Sequence, residues 1–377
     1  MTRKFLSLAA ALVLFQSAAA AEPCNAPTAR DDGWPVAAPA SVGLDETRLC
    51  SIVEDLAHVK EPNIHAVLVV RHGRLVFERY FPGADEIWAK PLGPVAHGVE
   101  VKHDLRSISK SVTSLLLGIA LDRKLIASID EPVLKFFPEY TELRTPAKDR
   151  IRLRHLLTMS AGLAWNETIS YTNPANGEVR MVRSPDPYRY VLEQPVEEPP
   201  VAVFNYSGGA TQLLAGVIQR VTGKPLDAFA REALFAPLGI TDTQWVKMPN
   251  GEFAAASGLR LRPRDLAKLG QLLLQRGQWQ GKQIVSATWI EQSTTPQIDA
   301  IDFLFYGYQW WLGRSLIDGR EAPWTAGLGL GGQRLFVVPA LDLVVVITAG
   351  YYDSPVQRWL PWQIFRGYVM RAAGSGP

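Results

Sequence analysis

The hydrophobic pattern predicts strands at both ends of the chain. Residues 65–70 and 75–81 are apolar runs of strand length, and Gly73 between them suits a tight hairpin turn. Three runs rich in β-branched and aromatic residues near the C-terminus predict further strands over residues 306–312, 334–338 and 341–348. Because both ends supply strands, we expect one antiparallel sheet built from the two ends of the chain.

Helical periodicity dominates the rest of the pattern. Apolar residues recur at helical spacing over residues 104–122, and residues 46–58 predict a shorter helix. Ser128 and Glu131 have the spacing of a capping box, which predicts the start of another helix. The other predicted helices cover residues 211–221, 264–276 and 356–372, and the first two of these end at Gly223 and Gly277.

These elements predict an α/β fold in which a helical domain interrupts a sheet domain. The antiparallel sheet and its flanking helices take residues 22–125 and 250–377, and a mostly helical domain takes residues 126–249. The composition is that of a folded protein, with 47% hydrophobic and 20% charged residues. The 39 basic and 37 acidic residues leave a net charge of +2, so nothing predicts nucleic-acid binding.

The first residues have the pattern of an export signal. Arg3 and Lys4 precede a short apolar stretch over residues 5–15, and three alanines ending at Ala21 suit a signal peptidase. The alternative is a membrane anchor, but a spanning helix needs about 20 apolar residues. We therefore expect residues 1–21 to be a signal peptide and the protein to be periplasmic or secreted, with no membrane span after cleavage.

Both cysteines, Cys24 and Cys50, follow the predicted cleavage site. Disulfides persist in exported proteins, so these two residues are candidates for a bond that would contribute roughly 3 kcal/mol to stability. Two free thiols are the alternative. Two cysteines cannot form a zinc cluster, and neither of them is predicted to be a nucleophile.

Several familiar catalytic patterns are missing from the sequence. It has no Gly-x-Ser-x-Gly, no His-Glu-x-x-His and no close pair among its six histidines, which argues against an α/β-hydrolase and a zinc protease. Residues 327–332 match Gly-x-Gly-x-x-Gly, but a strand pattern follows them where a dinucleotide site needs a helix. The sequence therefore predicts no metal site and no cofactor.

The positive signal is Ser107, which stands three residues before Lys110 in the predicted helix over residues 104–122. Side chains three apart share one helix face, so the amine can reach the hydroxyl. Serine becomes a nucleophile when a neighbouring base takes its proton, and a lysine can serve if burial depresses its pKa. The alternative is a capping serine and an exposed lysine. The apolar neighbours Ile108 and Val112 favour a buried lysine.

Six short motifs give the chain a resemblance to a known family. They are RSISKSVTS at 106–114, HLLTMSAGL at 155–163, FNYSG at 204–208, PLGI at 237–240, YGYQWW at 306–311 and GGQRLFVVP at 331–339. In content and order they resemble those of the penicillin-recognising serine hydrolases, the class C β-lactamase-like superfamily, and most of all its esterase and 6-aminohexanoate-dimer hydrolase branch. The resemblance implies a β-lactamase/transpeptidase-like fold and hydrolysis through an acyl-enzyme.

The resemblance also assigns roles by position. Ser107 would be the acylated nucleophile and Lys110 the amine beside it. Tyr206 would relay the proton, with a pKa lowered by the positive charge of Lys110. The backbone N–H groups of Ser107 and Leu330 would form the oxyanion hole, and water would release the acyl group.

A second tyrosine and three glycines are expected at the substrate pocket on the same basis. Tyr171 matches the family's Tyr-x-Asn pattern literally, but its polar surroundings predict a loop that is either exposed or a lid over the substrate. Gly208 replaces the Asn of that pattern after Tyr206. Gly327, which precedes Gly329 in the pocket strand, stands where related enzymes carry a cation that contacts a substrate carboxylate.

These departures favour a small carboxylic ester or amide as the substrate. A β-lactamase or D-Ala-D-Ala carboxypeptidase is the first alternative, because the nucleophile motif is shared with those enzymes. A non-catalytic scaffold of the same fold is the second alternative. The resemblance leaves the oligomeric state open.

Overall fold

The computed structural model describes residues 25–374, so the predicted signal peptide and Cys24 lie outside the described residues. Cys50 is disulfide-bonded. The described strands are β1 (Ile64–Arg71), β2 (Arg74–Tyr80), β3 (Gly83–Ile87), β4 (Lys90–Val95), β5 (His103–Asp104), β6 (Gln244–Trp245), β7 (Leu259–Leu261), β8 (Gln278–Trp279), β9 (Lys282–Gln283), β10 (Ile298–Asp299), β11 (Phe305–Tyr306), β12 (Trp311–Ile317), β13 (Arg320–Gly329), β14 (Gln333–Val338) and β15 (Leu343–Ala349).

Helices fill most of the middle of the chain. The α-helices are α1 (Glu46–Ala57), α2 (Ile108–Asp122), α3 (Leu153–Leu157), α4 (Gly177–Arg183), α5 (Pro187–Glu193), α6 (Gly208–Thr222), α7 (Leu226–Ala230), α8 (Pro263–Leu274), α9 (Ala287–Ser293), α10 (Leu360–Gln363) and α11 (Arg371–Gly374). A π-helical segment, Ile364–Met370, joins α10 to α11, and another, Arg231–Phe235, follows α7. The 3₁₀ turns are Pro39–Val42, Val133–Phe136, Pro138–Leu143, Lys148–Arg150, Ala236–Leu238, Pro339–Leu341 and Pro355–Arg358.

One antiparallel sheet of eight strands joins the two ends of the described chain. Its strand order is β10-β11-β12-β13-β14-β15-β1-β2. The ends meet where β1 pairs with β15, with Val67 opposite Ile347. His72 and Gly73 both have positive φ and close the β1–β2 turn at the predicted glycine. The predicted α/β class, with an antiparallel sheet drawn from both ends, is confirmed.

Helices cover both faces of this sheet. Leu335 and Val344 pack against Gly270 of α8, where an added Cβ would lie 2.9 and 2.4 Å from them. Phe336, whose side chain points to the opposite face, stacks on Phe365 in the C-terminal helical segment at a ring distance of 3.8 Å. Because neither face meets water, β15 is apolar along almost its whole length, without the alternation of a half-exposed strand.

The helix that follows the predicted nucleophile is buried in the centre of the molecule. α2 contacts β13 and β14 of the sheet and also α6. Every position from Ile108 to Ala120 is buried, which accounts for the apolar and small residues on all sides of the helix. Helices α3 to α7 fall within residues 126–249, and the domain boundaries themselves stay a prediction.

Three local predictions were wrong. The helix predicted from residue 104 begins at Ile108, because Arg106 has a φ of 50° that an α-helix does not accommodate. No capping box forms at Ser128, whose hydroxyl accepts the N–H of Asp130 in a turn. The strand predicted over residues 306–312 is two strands, since Gln309 between them has a φ of 64°.

Within residues 25–374, no helix combines the length and the apolar character needed to cross a bilayer.

Candidate active site

Ser107 sits at the junction between a strand and a buried helix. β5 ends at Asp104, and Ser107 is the residue before the first turn of α2. Between them Arg106 adopts the left-handed region, and its guanidinium contacts the carboxylates of Glu86 and Asp104. A non-glycine residue with positive φ is held there by its surroundings, and these two ion pairs fix the segment that carries Ser107.

Lys110 is buried directly beneath Ser107. Its Nζ donates to Ser107 Oγ at 3.2 Å and to the carbonyl oxygen of Ala256 at 3.2 Å. The same Nζ lies 3.6 Å from Glu167 Oε1 and 4.8 Å from the centre of the Tyr206 ring. Lys110, Ser107 and Tyr206, three of the residues singled out in the sequence, therefore meet at one point.

The protonation of Lys110 differs from the prediction. Burial alone would lower its pKa, but the interactions of Lys110 with Tyr206, Glu167 and Glu178 outweigh burial and raise the pKa of Lys110 above its usual value. A depressed pKa was the condition for a neutral lysine base. The raised pKa instead favours the ammonium form of Lys110 at neutral pH.

Tyr206 lies beside both Ser107 and Lys110. Its hydroxyl is in side-chain hydrogen-bonding contact with Ser107 and with Lys110, and its ring stacks on Trp311 at 5.6 Å. Part of the side chain reaches the surface, yet the surroundings of the hydroxyl are shielded from water. This burial raises the pKa of Tyr206, although Lys110 acts to lower it as predicted. The net direction is opposite to the expected one, so the phenol keeps its proton at neutral pH.

A buried carboxylate that the sequence analysis missed completes the group. Glu167 accepts hydrogen bonds from Tyr171 Oη at 2.9 Å, Trp165 Nε1 at 2.8 Å and the backbone N–H of Gly208 at 2.6 Å. Burial raises the pKa of Glu167 to about 7, while Lys110 acts to lower it. We call Ser107, Lys110, Tyr206 and Glu167 the catalytic cluster.

Gly208 makes room for this carboxylate. A Cβ at that position would lie 3.0 Å from Glu178 Oε2 and 3.1 Å from Glu167 Oε2. Glu178 in turn accepts from Ser257 Oγ at 2.6 Å. The glycine was predicted to face the substrate as a substitute for Asn. Instead it lets two carboxylates approach Lys110, and no signal in a single sequence distinguishes them from surface glutamates.

A pocket of about 290 Å³ opens above Ser107. Its described wall contains three predicted residues, Ser107, Leu330 and Tyr171, and brings together the two proposed oxyanion residues. Tyr171 is partly buried in this wall, and its hydroxyl donates a hydrogen bond to Glu167. The other described wall residues are Glu86, Trp88, Ala89, Arg106, Thr172, Glu178, Val179, Val182, Arg183, Ser257, Tyr352 and Asp353.

The predicted pocket glycines do not contribute to this described wall. A Cβ on Gly329 would lie 2.4 Å from the carbonyl oxygen of Leu105, and one on Gly327 would lie 3.0 Å from Ile108 Cγ2. Their role is to let the last part of β13 approach the start of α2 closely. The Gly-x-Gly-x-x-Gly sequence that contains them forms the β13–β14 hairpin, with positive φ at Gly331 and Gly332.

The sequence of the chain is similar to those of known proteins. A family model described as beta-lactamase matches residues 64–358. The chain is 26% identical to the 6-aminohexanoate-dimer hydrolase of Paenarthrobacter ureafaciens over 89% of this chain and 84% of that one. It is 25% identical to esterase EstB of Burkholderia gladioli over 57% of this chain and 56% of that one.

The fold is also similar to solved structures. The octameric penicillin-binding protein homologue from Pyrococcus abyssi superposes with a TM-score of 0.62 at 22% identity, over 87% of this chain and 76% of that one. This likeness concerns the fold alone.

Proposed function

The chain belongs to the β-lactamase family of serine hydrolases, and from that premise we propose that it hydrolyses carboxylic esters or short amides through an acyl-enzyme on Ser107. The observation that carries the proposal is the contact of Lys110 Nζ with Ser107 Oγ at 3.2 Å, with Tyr206 beside both, at the point where Ser107 borders the pocket. A buried lysine with a serine, a tyrosine and a carboxylate is a set of groups suited to nucleophilic catalysis.

The proton of Ser107 needs an acceptor when its oxygen attacks the carbonyl carbon. Lys110 is an ammonium group and Tyr206 a phenol, so the group able to accept a proton near pH 7 is Glu167. We infer a relay of three proton transfers. Ser107 gives its proton to Tyr206, Tyr206 gives its own proton to Lys110, and Lys110 gives one to Glu167. The same proton returns to the leaving group when the tetrahedral intermediate collapses.

The N–H groups of Ser107 and Leu330 are proposed to stabilise the developing oxyanion. Both residues border the pocket. Donors that are already oriented before the reaction stabilise the transition state without reorganisation. Water then attacks the acyl group on Ser107 by the reverse route, which regenerates the serine hydroxyl and releases the acid.

Among the described residues, three carboxylates and two guanidinium groups line the pocket. The guanidinium of Arg106 is already engaged by Glu86 and Asp104, and Glu178 adds a further carboxylate to the wall. Arg183, the second cation of the described wall, has no ion pair there, so a substrate carboxylate that reaches it would be paired, whereas one close to Glu178 would be repelled. Apolar contacts are available from Trp88, Ala89, Val179, Val182 and Leu330.

Intact-protein mass spectrometry tests the proposal directly. The protein is mixed with a short p-nitrophenyl ester, a short linear amide or penicillin and quenched within a turnover. We expect a mass increase equal to the acyl group with the ester or amide, and none in Ser107→Ala. A lasting penicillin adduct with turnover of a D-Ala-D-Ala peptide would indicate the alternative function, and no adduct or turnover with any compound would overturn the enzyme proposal.

Intact-protein mass spectrometry also tests where the protein is located. We propose that the protein is exported, from the pattern of residues 1–21 and with support from the disulfide bond of Cys50. Protein recovered from the periplasm or medium is then expected to lack residues 1–21 and to weigh two hydrogens less than the reduced chain. An uncleaved N-terminus would contradict export by this route.

The pH dependence follows from the proton count of the catalytic cluster. Below pH 7 Glu167 is protonated, and with Lys110 as ammonium and Tyr206 as phenol the cluster cannot accept the serine proton. We expect kcat/KM for a p-nitrophenyl ester to rise with pH, with an apparent pKa near 7, and then to level off. In Glu167→Gln the rise should move to higher pH, because Lys110 or Tyr206 must then lose the proton. An unchanged profile in that variant would contradict the role of Glu167.

A further inference from the structure

Three histidines and an aspartate that the proposed reaction does not use meet in one buried group. His65 lies on β1, Asp85 on β3 and His103 on β5, while His97 lies between β4 and β5. Each residue offers one ligand atom, and these four atoms all lie within 4.8 Å of one another. We call these residues the histidine cluster. The four residues are separated from one another in the sequence, so a search for closely spaced histidines does not find this cluster.

Two atoms of the histidine cluster are buried without a partner. Asp85 Oδ2 and His97 Nε2 lie 3.9 Å apart, and neither has a hydrogen-bond partner. The two side chains are only 1% and 3% exposed. An unpaired buried polar group carries a desolvation cost, because it has lost its hydrogen bonds to water. A ligand between the two atoms would remove this cost for both.

The other two histidines face each other through nitrogen atoms that lack a proton to share. His65 Nε2 lies 3.0 Å from Asn63 Oδ1, and the Asn63 amide is oriented by its own bond to Ala84 O. His103 Nδ1 lies 3.0 Å from the carbonyl oxygen of Asp104. Both acceptors require an N–H, which leaves lone pairs on His65 Nδ1 and His103 Nε2.

These two nitrogens are 2.8 Å apart. Two lone pairs at that distance repel unless a proton or a metal cation lies between them. Asp85 Oδ1 lies 3.5 Å from His103 Nε2 at the same point. The lone pairs are thus oriented as metal-bound imidazoles are, with the opposite ring nitrogen fixed by a carbonyl oxygen.

We propose that His65, Asp85, His97 and His103 form a binding site for one divalent transition-metal cation of the zinc type. Three imidazoles and a carboxylate are a donor set that suits zinc, cobalt or nickel, whereas magnesium and calcium prefer oxygen alone. Four protein ligands without an open position indicate a structural rather than a catalytic ion.

The surroundings hold the ligands in place and leave a route to them. A Cβ on Gly83 would lie 2.6 Å from His65 Nε2, and one on Gly350 would lie 2.7 Å from His65 Cε1, so both glycines accommodate this ring. Asp85 also borders an open cavity of about 700 Å³, through which an ion can reach the cluster from solvent.

The site is linked to the substrate pocket but distinct from it. Tyr352 donates its hydroxyl to Asp85 Oδ1 at 3.0 Å and lines the pocket, with the Arg106 guanidinium 4.8 Å above its ring. His103 precedes Ser107 on the same segment. A bound cation would connect β1, β3 and β5 under the segment that carries Ser107, and its effect would be on stability rather than on the reacting atoms.

Cobalt binding tests this proposal without reference to activity. The mature protein is freed of metal with a chelator, and Co²⁺ is added while visible absorption and thermal stability are followed. We expect one Co²⁺ per chain, the intense absorption of a four-coordinate nitrogen–oxygen site, displacement by Zn²⁺ and a higher Tm. Wild-type protein that binds no stoichiometric Co²⁺ would overturn the proposal, whatever its activity.

Variants assign the ligands. His97→Ala and the nearly isosteric Asp85→Asn should weaken Co²⁺ binding by more than about 100-fold, since even replacements around a metal site cost 10–100-fold. His72→Ala is the matched control, because His72 is exposed in the β1–β2 turn and pairs with Asp342. Circular dichroism establishes that each variant is folded. Equal Co²⁺ absorption in the folded His97→Ala, Asp85→Asn and His72→Ala proteins would overturn the assignment.

Discussion

Replacing Ser107 by alanine is expected to lower kcat/KM for a p-nitrophenyl ester by about 10⁴-fold or more. The hydroxyl is the atom that attacks the carbonyl carbon, and it accepts a hydrogen bond from Lys110 Nζ at 3.2 Å. Whatever rate remains would come from substrate binding and from the backbone N–H groups. Initial rates across an ester series, with the matching loss of the acyl-enzyme mass, measure the effect.

Ser111→Ala is the matched control for that variant. Ser111 lies in the first turn of α2 and is buried, whereas Ser107 precedes that helix and borders the pocket. The Ser111 hydroxyl donates to the carbonyl oxygen of Gln309 at 2.7 Å. Losing that bond should reduce the free energy of unfolding by about 1 kcal/mol and leave kcat/KM within a few fold. If Ser107→Ala kept wild-type activity, or if both variants lost activity equally, Ser107 would not be the nucleophile.

The sequence predicts well those parts of the fold that are determined by residues adjacent in the sequence. The turn at Gly73 depends on residues that need positive φ, and the end of α6 depends in the same way on Gly223. The start of α2 could not be placed, because Arg106 adopts positive φ only under its ion pairs with Glu86 and Asp104. Glu86 is 20 residues away in the sequence, so the local pattern around Arg106 does not reveal this contact.

The same distinction separates the site residues. Ser107 and Lys110 are close in the sequence, so helix geometry alone brings them together. Glu167 reaches Lys110 from a loop before α4, and its approach depends on the missing side chain of Gly208. The sequence shows the glycine, but it does not show that the carboxylates of Glu167 and Glu178 occupy the space beside it.

Tyr206→Phe should lower kcat/KM by about 10²- to 10⁴-fold, whereas Tyr171→Phe should leave the maximal rate within about 10-fold. The Tyr206 hydroxyl contacts both Ser107 and Lys110 and is the proposed link for the proton. The Tyr171 hydroxyl contacts Glu167. Steady-state rates of the two variants over a range of pH measure the difference, and each variant serves as the control for loss of a buried phenol.

The pH profile separates the two tyrosines more sharply than the rates do. Tyr171 donates a hydrogen bond to Glu167, and such a bond favours the ionised carboxylate. Without it the pKa of Glu167 should rise, so the Tyr171→Phe profile should keep its plateau and move to higher pH. Tyr206→Phe should lose the plateau itself, because the carboxylate can still ionise but no hydroxyl joins it to Ser107. The reverse pattern would assign the relay to Tyr171 and leave Tyr206 a packing role beside Trp311.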